Sequence, residues 1–277
     1  MSQKVCMVTG SNTGIGKAVA LALAKSGATV VLVCRSHERG EAARAEIAAE
    51  SGRTDVDLLV ADLSLQSEIR RLVMEFKARY TRLDVLINNA AVVTRKRTVT
   101  SEGIETMFAV NHLAYFLLTN LLLDTLKASS PSRIINVSSN AHRFIKRLDF
   151  DDLQGEKKFG SLRPYALSKL ENIYFTYALA RRLEGTGVTV NVLHPGVIRT
   201  ELNRSMPAFV VWFFNKFTKP PEEGAKTPYY LATAPEVEGV SGKYFDECRE
   251  KATTPVSHDE QAGEQLWRLS AKLTGLN

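Results

Sequence analysis

The chain has 277 residues, 44% of them hydrophobic and 24% charged, a globular composition with ample apolar material for a core, which excludes disordered, collagenous and coiled-coil classes. Lys and Arg number 36 against 30 Asp and Glu, a formal charge of +6; the excess is scattered, Arg95-Lys96-Arg97 is its densest run, and nucleic-acid binding gains no support. Cys6, Cys34 and Cys248 stand far apart in no CxxC or Cys/His spacing, which argues against a disulfide framework or structural zinc and for a reducing, cytoplasmic setting.

No stretch approaches the ~20 apolar residues of a membrane span. Neither signal peptide nor N-terminal anchor is expected, because Met1-Ser2-Gln3-Lys4 leads straight into an apolar run. Short β-branched runs at 4–9, 29–34, 57–61, 84–88, 133–138 and 188–193, with a weaker one at 243–245, alternate with amphipathic stretches. Helices are expected from Gly14, after Ser36, after Ser64, and over roughly 102–127 and 165–184. This alternation predicts a doubly wound α/β fold of Rossmann type, about seven parallel strands with helices on both faces. No linker or repeat divides the chain, so residues 1–277 are read as one domain.

The first strand runs into Thr9-Gly10-Ser11-Asn12-Thr13-Gly14-Ile15-Gly16 and then an Ala/Leu-rich helix. Gly10 allows a tight turn, Gly14 lets the backbone approach a diphosphate, Gly16 permits close packing, and the helix N-terminus offers N–H donors to an anion. Without that flanking strand and helix, the glycines would mark only a turn. The second strand ends Val33-Cys34-Arg35-Ser36. A carboxylate there would bond the 2′-hydroxyl of NAD; Arg35 instead suits a 2′-phosphate, so NADP(H) is expected ahead of NAD(H), with Arg39 one helical turn on as a helper. In Ala61-Asp62-Leu63, Asp62 can accept from an adenine amino group, and an N-cap of the next helix is an equally good reading. The fourth strand ends Asn88-Asn89-Ala90-Ala91, whose amides and small side chains let a backbone lie flat against the cofactor.

Ser138-Ser139 closes the fifth strand, Tyr165 and Lys169 share one helical face four residues apart, and Pro195-Gly196 follows the sixth strand. All of these fall at the C-terminal edge of a parallel sheet, where ligands of such folds bind. A tyrosine of ordinary pKa ~10 needs a nearby cation to act as acid or base at neutral pH, and Lys169 would lower it. One of the two serines, which alternation points to opposite faces, would hold the substrate oxygen.

The chain resembles the short-chain dehydrogenase/reductase family over essentially its whole length: the loop from Thr9 to Gly16, Asn88-Asn89-Ala90, Asn111, Ser139, Tyr165-x-x-x-Lys169 and Pro195-Gly196 occur in family order. Leu153-Gln154-Gly155-Glu156-Lys157, the run from Tyr165 to Leu170 and His194-Pro195-Gly196 are similar to its retinol dehydrogenase branch. The resemblance implies a catalytic set of Asn111, Ser139, Tyr165 and Lys169. In it Lys169 also holds the nicotinamide ribose, and the Asn111 backbone organises a water leading from Lys169 to solvent. It also implies that Pro195, Gly196, Val197, Ile198 and Thr200 pass beneath the nicotinamide, a Val197 or Ile198 backbone group meeting its carboxamide. His112, His142 and His194 stand alone, and no metal is assigned.

The implied reaction is hydride transfer between NADP(H) and a carbonyl or alcohol, running as a reductase on a reduced NADP pool. The segment near 200–221 is read as a substrate cover. Its Phe209, Trp212, Phe213, Phe214 and Phe217 favour a small hydrophobic, retinoid-like or other lipophilic substrate. Peripheral membrane contact helped by Lys216 and Lys219 ranks second, and the same segment could instead pack on the core or serve a homo-oligomer. Two departures stand out: Ala91 where the family usually has glycine, and the expectation of no anchor of the kind the vertebrate retinol enzymes carry. A silent dinucleotide-binding regulator and a light-dependent pigment reductase remain as alternatives.

Overall fold

A computed structural model describes residues 1–157, 159–160, 162–198 and 218–276. The six strong β-branched runs form parallel strands, each within one residue of the expected bounds: Val5–Thr9 (β1), Thr29–Cys34 (β2), Val56–Val60 (β3), Val85–Asn88 (β4), Ser132–Val137 (β5) and Val188–His194 (β6). The weak run forms Tyr244–Asp246 (β7), also parallel. A short eighth strand, Arg249–Glu250 (β8), adds to the about seven expected and pairs antiparallel with β7. Its two-residue turn, Glu247-Cys248, has φ of 50° and 59°, a left-handed hairpin turn usually carried by Asn or Gly. Without those residues the turn has no sequence signal.

The sheet order is β3-β2-β1-β4-β5-β6-β7-β8. The chain winds outward in one direction from β1 and then in the other from β4, so a crevice opens at the C-terminal ends of these two strands. Alternation along the strands feeds two cores. Met7, Val31, Leu86 and Ile134 face one layer, whereas Cys6, Val30, Ile87 and Ile135 face the other.

Helices Gly14–Lys25 (α1) and His37–Ser51 (α2) lie in the second layer, and Gln66–Arg79 (α3) in the first. Thr106–Ala128 (α4) is interrupted by a π-helical turn at Ala109–Leu113. By length and composition α4 is apolar enough to cross a membrane, contrary to the expectation, but 78% of its most apolar window is buried inside the fold. Leu162–Arg182 (α5) packs beside it; Pro221–Thr233 (α6) covers the second layer, and Glu260–Thr274 (α7) lies against α4 and α5. Trp267 of α7 packs against Phe116 and Phe175, with the Arg182 guanidinium 4.0 Å from its ring centroid.

Candidate active site

The chain leaves β1 through Gly10, where φ is +65° and an added Cβ would stand 2.9 Å from Ala90 Cα. At Gly16 an added Cβ would fall 2.4 Å from the Gly10 carbonyl oxygen and 2.5 Å from Asn89 Nδ2, so the first turn of α1 sits directly on the loop. Gly14 differs: its φ is +57° and nothing lies within 4 Å of an added Cβ. Thr13 caps α1 without a side-chain hydrogen bond, which leaves the first N–H groups of the helix free to meet an anion.

These residues open onto a cavity of about 450 Å³ that also takes in the ends of β2, β3 and β4. Gly10, Asn12, Thr13, Gly14, Ile15 and Gly16 all line it. Ser11 does not share their orientation: its side chain is buried, accepting from the Val33 N–H at 3.0 Å and donating to the Val33 carbonyl. The loop is also clasped from behind by two residues whose part the sequence did not reveal. Thr9 Oγ1 accepts from the N–H groups of Asn89 and Ala90, and Asn89 Nδ2 donates to the carbonyls of Thr9 at 2.8 Å and Gly10 at 3.3 Å.

Arg35, Arg39, Asp62, Leu63, Ala90 and Ala91 line the same cavity. Arg35 is 77% exposed, its guanidinium 3.9 Å from the Asp62 carboxylate. Asp62 does not cap the following helix. It accepts from the Ser64 N–H at 2.9 Å, and the free N–H groups of Gln66 and Ser67 are met instead by the Glu102 carboxylate, 36 and 35 residues away in sequence. That long-range cap corrects the N-cap reading.

Val92, which also lines the cavity, is held at both backbone groups by the Asn111 side chain, which donates as well to Ser168 Oγ at 3.1 Å. Asn111 is fully buried in the π-helical turn of α4, a distortion frequent at functional sites. The side chain therefore ties the β4 loop to α5, a role distinct from the one implied for its backbone.

Ser139, just past β5, has its side chain close enough to Tyr165 to lower the phenol's value, and accepts from the Ala141 N–H. Ser138 faces the other way, its Oγ donating to the Lys169 carbonyl at 2.6 Å. His142 and His194 brace this turn: His142 Nδ1 meets the Ser139 carbonyl at 2.7 Å, and the Asn140 N–H donates to His194 Nδ1. Lys169 is buried, with Nζ donating to the Val137 carbonyl at 3.0 Å and standing 5.6 Å from the Tyr165 ring centroid. Burial pulls its ammonium down to about 7. Burial also pushes the Tyr165 phenol above its ordinary value, and Ser139 draws it back only in part. The net shift is thus opposite to the lowering expected from the lysine: desolvation is its largest cause, and only Ser139 acts against it.

Gly196 adopts φ of +93°. The Val197 carbonyl accepts from the Lys219 N–H at 2.9 Å. Ile198 is buried, in the same core cluster as Ile15. Thr200 and the aromatic residues from 209 to 217 lie outside the described residues. Among the described residues no three His, Cys, Asp or Glu side chains group as metal ligands. Two hydroxyls thus meet at the end of β5 with one buried amine behind them, an arrangement that can give or take a proton at an oxygen atom placed above them.

Comparison with known proteins agrees with this architecture. Residues 4–209 match the model of the short chain dehydrogenase family. The chain is 45% identical to retinol dehydrogenase 14 of Homo sapiens, covering all of this chain and 88% of that one. It is 47% identical to retinol dehydrogenase 13 of Mus musculus, covering 99% and 84%. An uncharacterised protein from Mycobacterium paratuberculosis of known structure superimposes with a TM-score of 0.79 at 29% identity, over 99% of this chain and 94% of that one.

Proposed function

This chain belongs to the short-chain dehydrogenase family, in its retinol dehydrogenase branch, and from that premise we propose that it reduces a hydrophobic aldehyde or ketone with NADPH, Tyr165 delivering the proton. The coarser activity, dinucleotide-dependent oxidoreduction at CH–OH and C=O groups, comes with the family. The Ser139–Tyr165 hydroxyl pair at the end of β5 is the observation that carries the finer reading.

The residues present fit a dinucleotide. The uncapped start of α1 and the open space over Gly14 suit a diphosphate, and the cavity runs from there past Arg35 to Asn89 and Ala90. When bound, the reduced nicotinamide supplies the hydride. The rest of the work belongs to the chain. Ser139 orients the carbonyl oxygen, and Tyr165, kept protonated by burial, donates its hydroxyl proton to that oxygen as it gains charge. Lys169, its Nζ 5.6 Å from the Tyr165 ring centroid, restores the proton and holds the nicotinamide ribose in this reading. Because burial keeps the phenol protonated at neutral pH, Tyr165 stands in the form that a reductive step needs.

Arg35 and Arg39 support NADP(H), because no carboxylate stands at the end of β2 and both guanidinium groups border the cavity. The relatives' names support a lipophilic, retinoid-like substrate. Three free cysteines support a reducing, cytoplasmic setting. Peripheral membrane contact finds support in Phe144 and Leu162, 82% and 69% exposed on the turns that carry Ser139 and Tyr165, with Lys146, Arg147 and Arg163 nearby in the chain. Retention on anionic phospholipid vesicles, lost in a Phe144→Ser/Leu162→Ser variant, checks that contact.

The test of function is turnover of a panel of hydrophobic aldehydes with each cofactor. Oxidation of NADPH ahead of NADH is expected, and Arg35→Ala should narrow that preference roughly tenfold. Equal dissociation constants for the two cofactors in the wild type would remove the NADP(H) assignment.

A further inference from the structure

Lys169 reaches the interior without an acidic partner: among the described residues no carboxylate acts on its ammonium, and its one hydrogen bond is to the Val137 carbonyl. Two tyrosine rings flank it. Nζ lies 5.6 Å from the centroid of Tyr165, on its own helix, and 5.8 Å from the centroid of Tyr115, on α4. Tyr115 is 1% exposed, and its hydroxyl has no hydrogen-bond partner. An unpartnered phenol in a core is unfavourable, so its hydroxyl does not account for a tyrosine here. Its ring does, because an aromatic face within about 6 Å attracts a cation, and most strongly where water is excluded.

We propose that Tyr115 is a positioning residue that holds the Lys169 ammonium against its ring, so that the lysine keeps more of its charge than burial alone would leave it, without a carboxylate partner. The elements packed against Lys169 are α4, β5 and its own helix. From these the titratable groups facing it are Tyr115 and Tyr165, both neutral at pH 7, and the β5 contact is the uncharged Val137 carbonyl. A carboxylate in place of Tyr115 would pair with the lysine and draw its charge away from the cofactor. A ring holds the charge without neutralising it. The consequence for hydride transfer rests on the reading of Lys169 given above; the placement of the charge does not.

The test is therefore read on the cofactor-free full chain. Lysine side chains labelled with 13C at Cε are titrated by NMR, the Lys169 signal being the one missing from Lys169→Met. Tyr115→Leu removes the ring, and Tyr115→Phe removes only the hydroxyl. Loss of the ring is expected to move the Lys169 midpoint about one pH unit lower, a tenfold loss of charged form above that midpoint, while Tyr115→Phe stays at the wild-type value. Should Tyr115→Leu fail to fold, Tyr115→Met fills the volume and takes its place. A midpoint unchanged on loss of the ring overturns the proposal. So does a shift shared by Tyr115→Phe, which would put the effect in the hydroxyl. An inactive enzyme with the expected titration would sink the reductase reading and leave this one standing.

Discussion

At the scale of single residues, most of what holds the site is done by groups whose sequence neighbours say nothing about them. Asn89 stands in a stretch that reads as a cofactor-facing turn, yet its amide is spent on the carbonyls of Thr9 and Gly10. Asn89→Ala should cost about 1–3 kcal/mol of stability and loosen the dinucleotide, because two buried carbonyls lose their donor; urea unfolding and cofactor titration measure both. Lys169 gives a second prediction. Its folded-state value near 7 lies below the roughly 10.4 of an unfolded lysine. Between these pH values the unfolded chain binds the extra proton, so this residue's contribution to stability rises as pH increases from about 7 to about 10. Wild type should gain on Lys169→Met over that window in urea melts, and parallel curves would contradict it. Tyr165 and Lys169 were legible from their spacing. The direction of their shifts was not, since burial is a property of the packed structure.

At the scale of elements, strands were legible to within a residue because their apolar runs are buried on both faces and bounded by turns. Ends governed by distant partners were not. Glu102 caps α3 from another loop, and α4 starts at Thr106, where the Glu105 carboxylate accepts from the Phe108 N–H. The helices α6 and α7 and the two-residue β8 carried no motif that named them. The contact between α1 and the glycine loop was legible, because Gly16 belongs to a pattern with a known packing reason. Gly16→Ala forces a methyl against Gly10 and Asn89. It should lower stability by about 1–3 kcal/mol and abolish cofactor binding, whereas Gly14→Ala, with open space around it, should impair binding mainly through its left-handed backbone.

At the scale of the whole molecule, one sheet brings together a phosphate-facing loop from the first residues of the chain and a hydroxyl pair from its middle, and α7 closes the layer behind them. Trp267, half-buried between Phe116, Phe175 and Arg182, is one of its anchors, beside the buried Leu266. Trp267→Ala should cost about 2–3 kcal/mol, less than the roughly 3–5 kcal/mol of a fully buried aromatic, and lower the urea midpoint without changing cofactor preference. The central claim is that this assembly turns over and that Tyr165 is its acid. Reduction of a hydrophobic aldehyde with NADPH, compared between wild type and Tyr165→Phe under saturating cofactor, tests it most directly. The account predicts measurable turnover in the wild type and a loss of at least about 100-fold in kcat for the variant, with NADPH binding retained. Equal turnover in the two proteins, or a wild type that binds NADPH yet reduces nothing, would contradict it.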